Sequence, residues 1–282
     1  MKKIILIVVL IAVAGIAGLV RSHTRSGGSI REWSLGISNQ NPSTGDAREE
    51  IRKSYELSPG ARVEVSGING SVKIETSDSK TADVYIERTG GSQEALNRRK
   101  IIIDSSPTGL TIRGEKGDGS FLSQMFGSKP SERVTLRLPR QVSLVTKGVN
   151  GAVVVGEIEG PVEVQGINGK VQIEQASGSA AFKGINGNVS VGLTQLDKGG
   201  IEISGINGNI ELRLGESVNA DLETHGMNGS VTSDLPNVVI DKSRHGSYSA
   251  QIGRGGNSIS ANGINGNIRL KQLAAAQPIG DR

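Results

Sequence analysis

The chain has 282 residues, with no cysteine, 2% aromatic residues, 40 glycines and a formal net charge of +4. Zero cysteines exclude disulfides and a lipid-modified cysteine. So few rings exclude the usual aromatic-rich core and point to thin layers packed with aliphatic side chains.

The N-terminus carries Lys2 and Lys3 followed by an apolar run over residues 4–20, 17 residues long. That length suits a signal segment or a short membrane anchor, and Ala12-Val13-Ala14 has the small-x-small form of a cleavage site. Residues 1–20 are therefore expected to form an apolar helix that exports the rest, either cleaved or retained as an anchor. Residues 21–53 are polar and irregular, with Ser-Gly-Gly and Asn-Pro-Ser, and are expected to be a tether.

From 54 to 140 the pattern is strand-like but lacks a fixed period. Alternating stretches cover 62–65, 71–76, 82–88, 100–104, 110–114 and 133–138, and 92–99 is compatible with one helical turn. This region is expected to be an antiparallel, hairpin-rich cap, with 67–72 adding one early strand to the repeats beyond. Within it, Phe121, Leu122, Met125 and Phe126 sit between glycine-rich stretches. They are expected either to fold over an open end or to contact a membrane or protein partner.

From 141 to 272 the chain repeats. The tetrad Gly-[Ile/Val/Met]-Asn-Gly begins at Gly67, Gly148, Gly166, Gly184, Gly205, Gly226 and Gly263, and the five central copies are 18, 18, 21 and 21 residues apart. Glycines also fall every nine residues at Gly151, Gly160, Gly169, Gly178 and Gly187. Each is followed by alternation, as at Val153/Val155, Val162/Val164, Val171/Ile173 and Val189/Val191, and the series continues after Gly199 with Ile201/Ile203. Nine residues suit a strand of about five and a corner of about four. Stacking then gives two facing parallel sheets. One column is expected to run Val153, Val171, Val189, Ile210, Val231 and the other Val162, Ala180, Ile201, Leu222, with Phe182 filling space beside Ala180. The predicted fold is all-β, a parallel β-solenoid (β-helix-like) behind an antiparallel N-terminal cap. Residues 273–282 are expected to be a disordered tail.

The tetrads, the opening at 55–75 (YELSPGARVEVSGINGSVKIE) and the close at 253–270 (GRGGNSISANGINGNIRL) resemble the bacterial putative-adhesin β-strand-repeat family, also called toast-rack or head-GIN domains. The resemblance covers roughly residues 54–272. It implies an envelope protein with an all-β repeat domain, and it brings no catalytic residues. The segment 121–127 departs from the pattern.

Charge is segregated. Residues 148–235 hold 11 Asp/Glu against 4 Lys/Arg, a net of −7, whereas 97–140 hold 9 Lys/Arg against 4 Asp/Glu, a net of +5. Outward Glu163, Glu202, Glu211 and Glu223 argue against nucleic acid as a partner of the repeats. The asparagines Asn69, Asn150, Asn168, Asn186, Asn207, Asn228 and Asn265 form the candidate site. Asn and Gly both accept left-handed backbone, so the pair is expected to serve the corner and to stack amides along a column. The competing reading is a row of amides offered to a glycan or to ice.

Catalytic signals are sparse. His23, His225 and His245 lack metal-ligand spacing. Ser243 and His245 with Asp241 lack a Gly-x-Ser-x-Gly elbow, and alternation puts Glu157, Glu159 and Glu163 on a solvated face. No catalytic residue, metal or cofactor is expected. The chain reads as a non-catalytic, exported scaffold or recognition surface whose partner is an envelope polymer or protein. A carbohydrate-active β-helix enzyme and an accessory sensor of envelope stress are the alternatives.

Overall fold

The computed structural model describes residues 47–117, 130–236 and 238–274. The chain divides into two units, Met1–Ser43 and Thr44–Arg282, and every described residue belongs to the second. The expected N-terminal helix, most of the tether, the 121–127 segment and nearly all of the tail lie outside the described residues.

The described part is all-β apart from one short helix, α1 (Gln93–Asn97), whose N-cap Ser92 accepts from the Ala95 N–H. The strands form two long mixed sheets, one of ten strands and one of eleven. In the repeat region the chain alternates between them. β8 (Val142–Lys147), β10 (Val162–Asn168), β12 (Ala180–Asn186) and β14 (Ile201–Asn207) lie side by side in the larger sheet. β9 (Val153–Ile158), β11 (Val171–Ser177), β13 (Val189–Gln195) and β15 (Ile210–Leu214) do so in the smaller. Each consecutive pair, such as β10 with β11, is one rung of a stack.

Register is parallel and repeats from rung to rung: Val162↔Ala180↔Ile201 in one sheet, Val153↔Val171↔Val189↔Ile210 in the other. β-branched residues at alternate positions produce this, because the inward face fills and the outward face stays polar. Val164, Val171, Ile173, Phe182, Val191, Ile203 and Leu212 are all fully buried in one contiguous core. Phe182 pairs in register with Val164 and Ile203, one step from Ala180, so the ring fills space that the alanine leaves.

The stacking order departs from the expected one at both ends. The last repeat, β20 (Asn257–Asn265) and β21 (Ile268–Gln272), is not the last rung. It lies between β14/β15 and the rung of β16 (Ala220–His225) and β17 (Val231–Ser233). The columns therefore run Ile201↔Ile259↔Leu222 and Ile210↔Ile268↔Val231. The first repeat behaves likewise. β2 (Ala61–Ser66) and β3 (Gly70–Ser77) form a complete rung between β8/β9 and the rung of β6 (Gly109–Lys116) and β7 (Ser131–Pro139). It is two strands held on both sides, where one early strand at the end was expected. Both terminal repeats are thus clamped between rungs formed by other parts of the chain, so that releasing either repeat must break a ladder on both of its sides.

Beyond the rungs, pairing turns antiparallel. β4 (Thr81–Gly90) joins β7, and β1 (Ala47–Glu56) joins β4. β5 (Arg99–Ser106) joins β6. At the far end β19 (Ser247–Ile252) joins β16, and β18 (Ile240–Arg244) joins β19. These hairpins cover sheet edges that would otherwise continue to pair.

Ile203 is fully buried, whereas its neighbour Glu202 faces outward and pairs with Lys183 at 2.7 Å. Ile203→Asp should lower stability by at least about 3 kcal/mol, from lost packing plus an unpaired buried charge. Glu202→Gln should change it by less than about 1 kcal/mol. Thermal melts of the two variants check the inward–outward assignment, which equal melting temperatures would contradict.

Candidate functional site: a ladder of outward asparagines

Each tetrad carries the chain from one sheet to the other, and its four residues have four different tasks. The first glycine is left-handed: φ is 66° at Gly67, 65° at Gly166 and 62° at Gly184, and the other four copies lie in the same narrow range. A side chain there would cost about 1–2 kcal/mol. The second residue points inward: Ile68, Val149, Ile167, Ile185, Ile206, Met227 and Ile264 are all buried. The third is the asparagine. The fourth is a glycine for a steric reason. A Cβ on Gly187 would collide with the Gly169 carbonyl oxygen, and one on Gly208 with that of Gly187. The same holds up the column through Gly266 and Gly229.

The asparagine amides form the expected column. The left-handed backbone falls on the first glycine, and Asn168, Asn186, Asn207 and Asn265 are the last residues of their strands. Their side chains bond to one another. The Nδ2 of Asn150 donates to Oδ1 of Asn69 at 3.0 Å, Asn168 to Asn150 at 3.0 Å and Asn186 to Asn168 at 3.2 Å. Asn207 donates to Asn186 at 3.2 Å, Asn265 to Asn207 at 2.9 Å and Asn228 to Asn265 at 3.0 Å. All six bonds point the same way, so each amide polarises the next. The ladder follows the spatial order of rungs, with Asn265 ahead of Asn228.

The two ends differ. At the first, Asn69 Nδ2 donates to the Pro130 carbonyl at 2.8 Å. The Asn69 N–H has no earlier tetrad to bond. In other rungs this N–H reaches the carbonyl of the preceding buried residue, as Asn150 to Ile68 and Asn168 to Val149, both at 2.9 Å. For Asn69 the acceptor is Glu132 Oε2, also at 2.9 Å. The Glu132 side chain is fully buried, and Arg99 neutralises it at 3.0 Å while also donating to the Gly67 carbonyl. A buried ion pair thus takes the place of a missing rung, which is how its desolvation is offset. At the second end, Asn228 Oδ1 has no donor among the described residues. Tyr248 closes the rung there, donating to the Gly229 carbonyl at 2.9 Å.

A second, shorter column went unread in the sequence. Asn188, Asn209 and Asn267 each follow a tetrad directly. Asn188 Oδ1 accepts the Asn209 N–H at 2.9 Å, Asn209 Oδ1 the Asn267 N–H at 3.0 Å, and Asn267 Oδ1 the Ser230 N–H at 3.0 Å. The signal was present as GINGN, a fifth position shared by three copies. This column borders a shallow groove of about 570 Å³ on the smaller sheet, lined also by Lys170, Ser190, Glu211 and Arg269.

Outward acids pair across rungs: Glu163 with Lys147 at 3.2 Å, Glu202 with Lys183 at 2.7 Å and Glu211 with Lys271 at 2.7 Å. The net acidity of the repeats is therefore partly compensated at the surface. The hydrogen bond from Lys271 holds the Glu211 carboxyl below its ordinary value of 4.5, against a smaller opposing effect of burial. Glu157 pairs with Arg140 at 3.0 Å, so two of the three glutamates singled out near 160, Glu157 and Glu163, are held by different partners. His225 and His245 are exposed. His23, the Ser243 side chain, Phe121, Leu122, Met125 and Phe126 lie outside the described residues. Among the described residues no group of three His, Cys, Asp or Glu is placed to hold a metal.

No protein-family model matches the chain, and no curated protein does. Among solved structures it is similar to a putative cell adhesion protein from Clostridium sporogenes, at 15% identity and a TM-score of 0.40, over 80% of this chain and 100% of that one. A putative adhesin from Bacteroides fragilis follows at 10% identity and a TM-score of 0.32, over 79% and 97%. A putative lipid binding protein from Parabacteroides distasonis matches at 10% identity and a TM-score of 0.27, over 79% and 94%. Adhesins among these neighbours are consistent with the family that the tetrads resemble. At such TM-scores the likenesses carry no weight for function, which rests on the geometry of this chain.

Two measurements check the site. Gly184→Ala should cost about 1–2 kcal/mol, the backbone penalty alone. Gly187→Ala should cost clearly more, because its methyl meets backbone that cannot move aside; chemical denaturation of both variants would show the order. Glu211→Gln should be less stable than the wild type at neutral pH. Because the Glu211 pKa is depressed in the folded state, its contribution is present above the ordinary value of 4.5 and is lost as pH falls through the folded value. The two melting curves should therefore converge in acid and separate as pH rises.

Proposed function

We propose that the chain is a non-catalytic β-solenoid of the cell envelope, a rigid scaffold with an adhesin-like recognition surface for a repeating polymer. The observation that carries this reading is the outward repetition of the stack. Seven asparagine amides stand in one row, and neighbouring rungs lie about 4.8 Å apart. Each amide in the row still has a donor and a lone pair free beyond its ladder bonds. Contacts of this kind recur along an axis and do not converge on a point. That favours a ligand whose own groups recur, and it disfavours a nucleophile, base and acid meeting at one bond.

Export is part of the proposal and rests on Lys2, Lys3 and the apolar run at 4–20. Among the described residues no helix is long and apolar enough to cross a membrane.

Cell fractionation followed by co-sedimentation with purified cell-wall polysaccharide tests the reading. The protein should sediment with envelope material, and affinity should rise steeply with polymer length, as repeated weak contacts require. Short oligomers binding as tightly as the intact polymer would contradict it. So would cleavage of the polymer, which would favour the carbohydrate-active enzyme instead.

A further inference from the structure

Asn-Gly is the sequence most prone to spontaneous succinimide formation, because glycine has no Cβ to shield its amide nitrogen. This chain carries eight such pairs, seven as the third and fourth residues of its tetrads and one at Asn262-Gly263. We infer that the stack protects the seven tetrad pairs unequally, and that Asn228-Gly229 is the one among them that deamidates in the native protein.

Two kinds of restraint oppose the reaction. The first is on the side chain. In Asn69, Asn150, Asn168, Asn186, Asn207 and Asn265 both amide atoms are bonded, Nδ2 as donor and Oδ1 as acceptor. Asn228 is held through Nδ2 alone. The second is on the nucleophile. The N–H of Gly187 donates to the Asn207 carbonyl at 3.0 Å, that of Gly208 to Asn265 at 3.0 Å and that of Gly266 to Asn228 at 3.1 Å. Gly229 stands at the end of the row with no tetrad beyond it. Its N–H has no partner among the described residues, which is true also of Gly151 and Gly169, but of the seven fourth glycines Gly229 alone is exposed and the others are half-buried. The rung is nevertheless ordered. Gly229 is held through its carbonyl by Tyr248, and the Asn228 N–H donates to Ile264 at 2.8 Å. The free groups are therefore the two that react.

In the reaction the Gly229 amide nitrogen loses its proton to base and attacks the Asn228 side-chain carbonyl carbon. The new N–C bond closes a five-membered succinimide as the bond from that carbon to Nδ2 breaks, and ammonia leaves. Water then adds to either ring carbonyl and opens the ring to aspartate or isoaspartate. The sum is asparagine plus water giving the acid plus ammonia, with no other reactant. The product places a negative charge at the open end of the ladder, and the isoaspartate form lengthens the backbone of that corner by one carbon.

The test is peptide mapping by mass spectrometry, with isoaspartate detection, of the full chain incubated in mildly alkaline buffer, folded and in denaturant. In the folded protein Asn228 should react roughly tenfold or more faster than Asn186, Asn207 and Asn265, given the bonds those residues must break first. In denaturant all four should react within a few-fold of one another. Equal rates at the four positions in the folded protein, or an Asn228 slower than the rest, would overturn the inference.

Discussion

Backbone meets backbone at every tetrad corner of this stack, and the rest of the structure depends on how closely. The fourth residue of each tetrad sits against a carbonyl one rung away, that of Glu132 for Gly70 and that of another tetrad's fourth glycine for the other six, with no space for a methyl group between them. Adjacent rungs are drawn together at that point, and the parallel register on either side follows. The asparagine immediately before the contact is then within reach of its neighbour's amide, and the isoleucine before that is turned into the core. A larger residue at the contact would separate the rungs, stretch the amide bonds and misalign two aliphatic columns together.

The same geometry explains the thin core and the treatment of charge. Facing sheets about 10 Å apart take Val, Ile and Leu well and rings poorly, and Phe182 is accommodated beside an alanine. Outside, acids are set against lysines one rung away, which removes like-charge repulsion that in-register stacking would otherwise repeat along the sheet. Where the repeat stops, its hydrogen-bond pattern is completed by other groups. Glu132 with Arg99 stands in for a carbonyl at one end, and Tyr248 closes the other.

Much of the fold was open to reading because its period is local. Alternation around Val162/Val164 and Ile201/Ile203 identified the inward faces, and the tetrads marked the corners. Two things were not open. The order of rungs is a non-local property: sequence separations of 81 from Asn69 to Asn150, and of 37 from Asn228 to Asn265, are long enough for the chain to leave a slot and fill it later. No period encodes which slot. The separate tasks of the two glycines were hidden as well, since positive φ and close approach demand the same residue. At the candidate site the seven asparagines were visible by repetition. Glu132 and Arg99 were not, because each occurs once and meets the ladder only through strands distant in sequence.

One measurement addresses the stack most directly: nuclear Overhauser contacts among the asparagine side-chain amides of the isotopically labelled protein. The account predicts a continuous series in which the Asn265 amide contacts both Asn207 and Asn228, with no contact between Asn207 and Asn228 themselves. A direct contact between Asn207 and Asn228, or amides that show no contact with their rung neighbours, would contradict both the order of the rungs and the ladder that joins them.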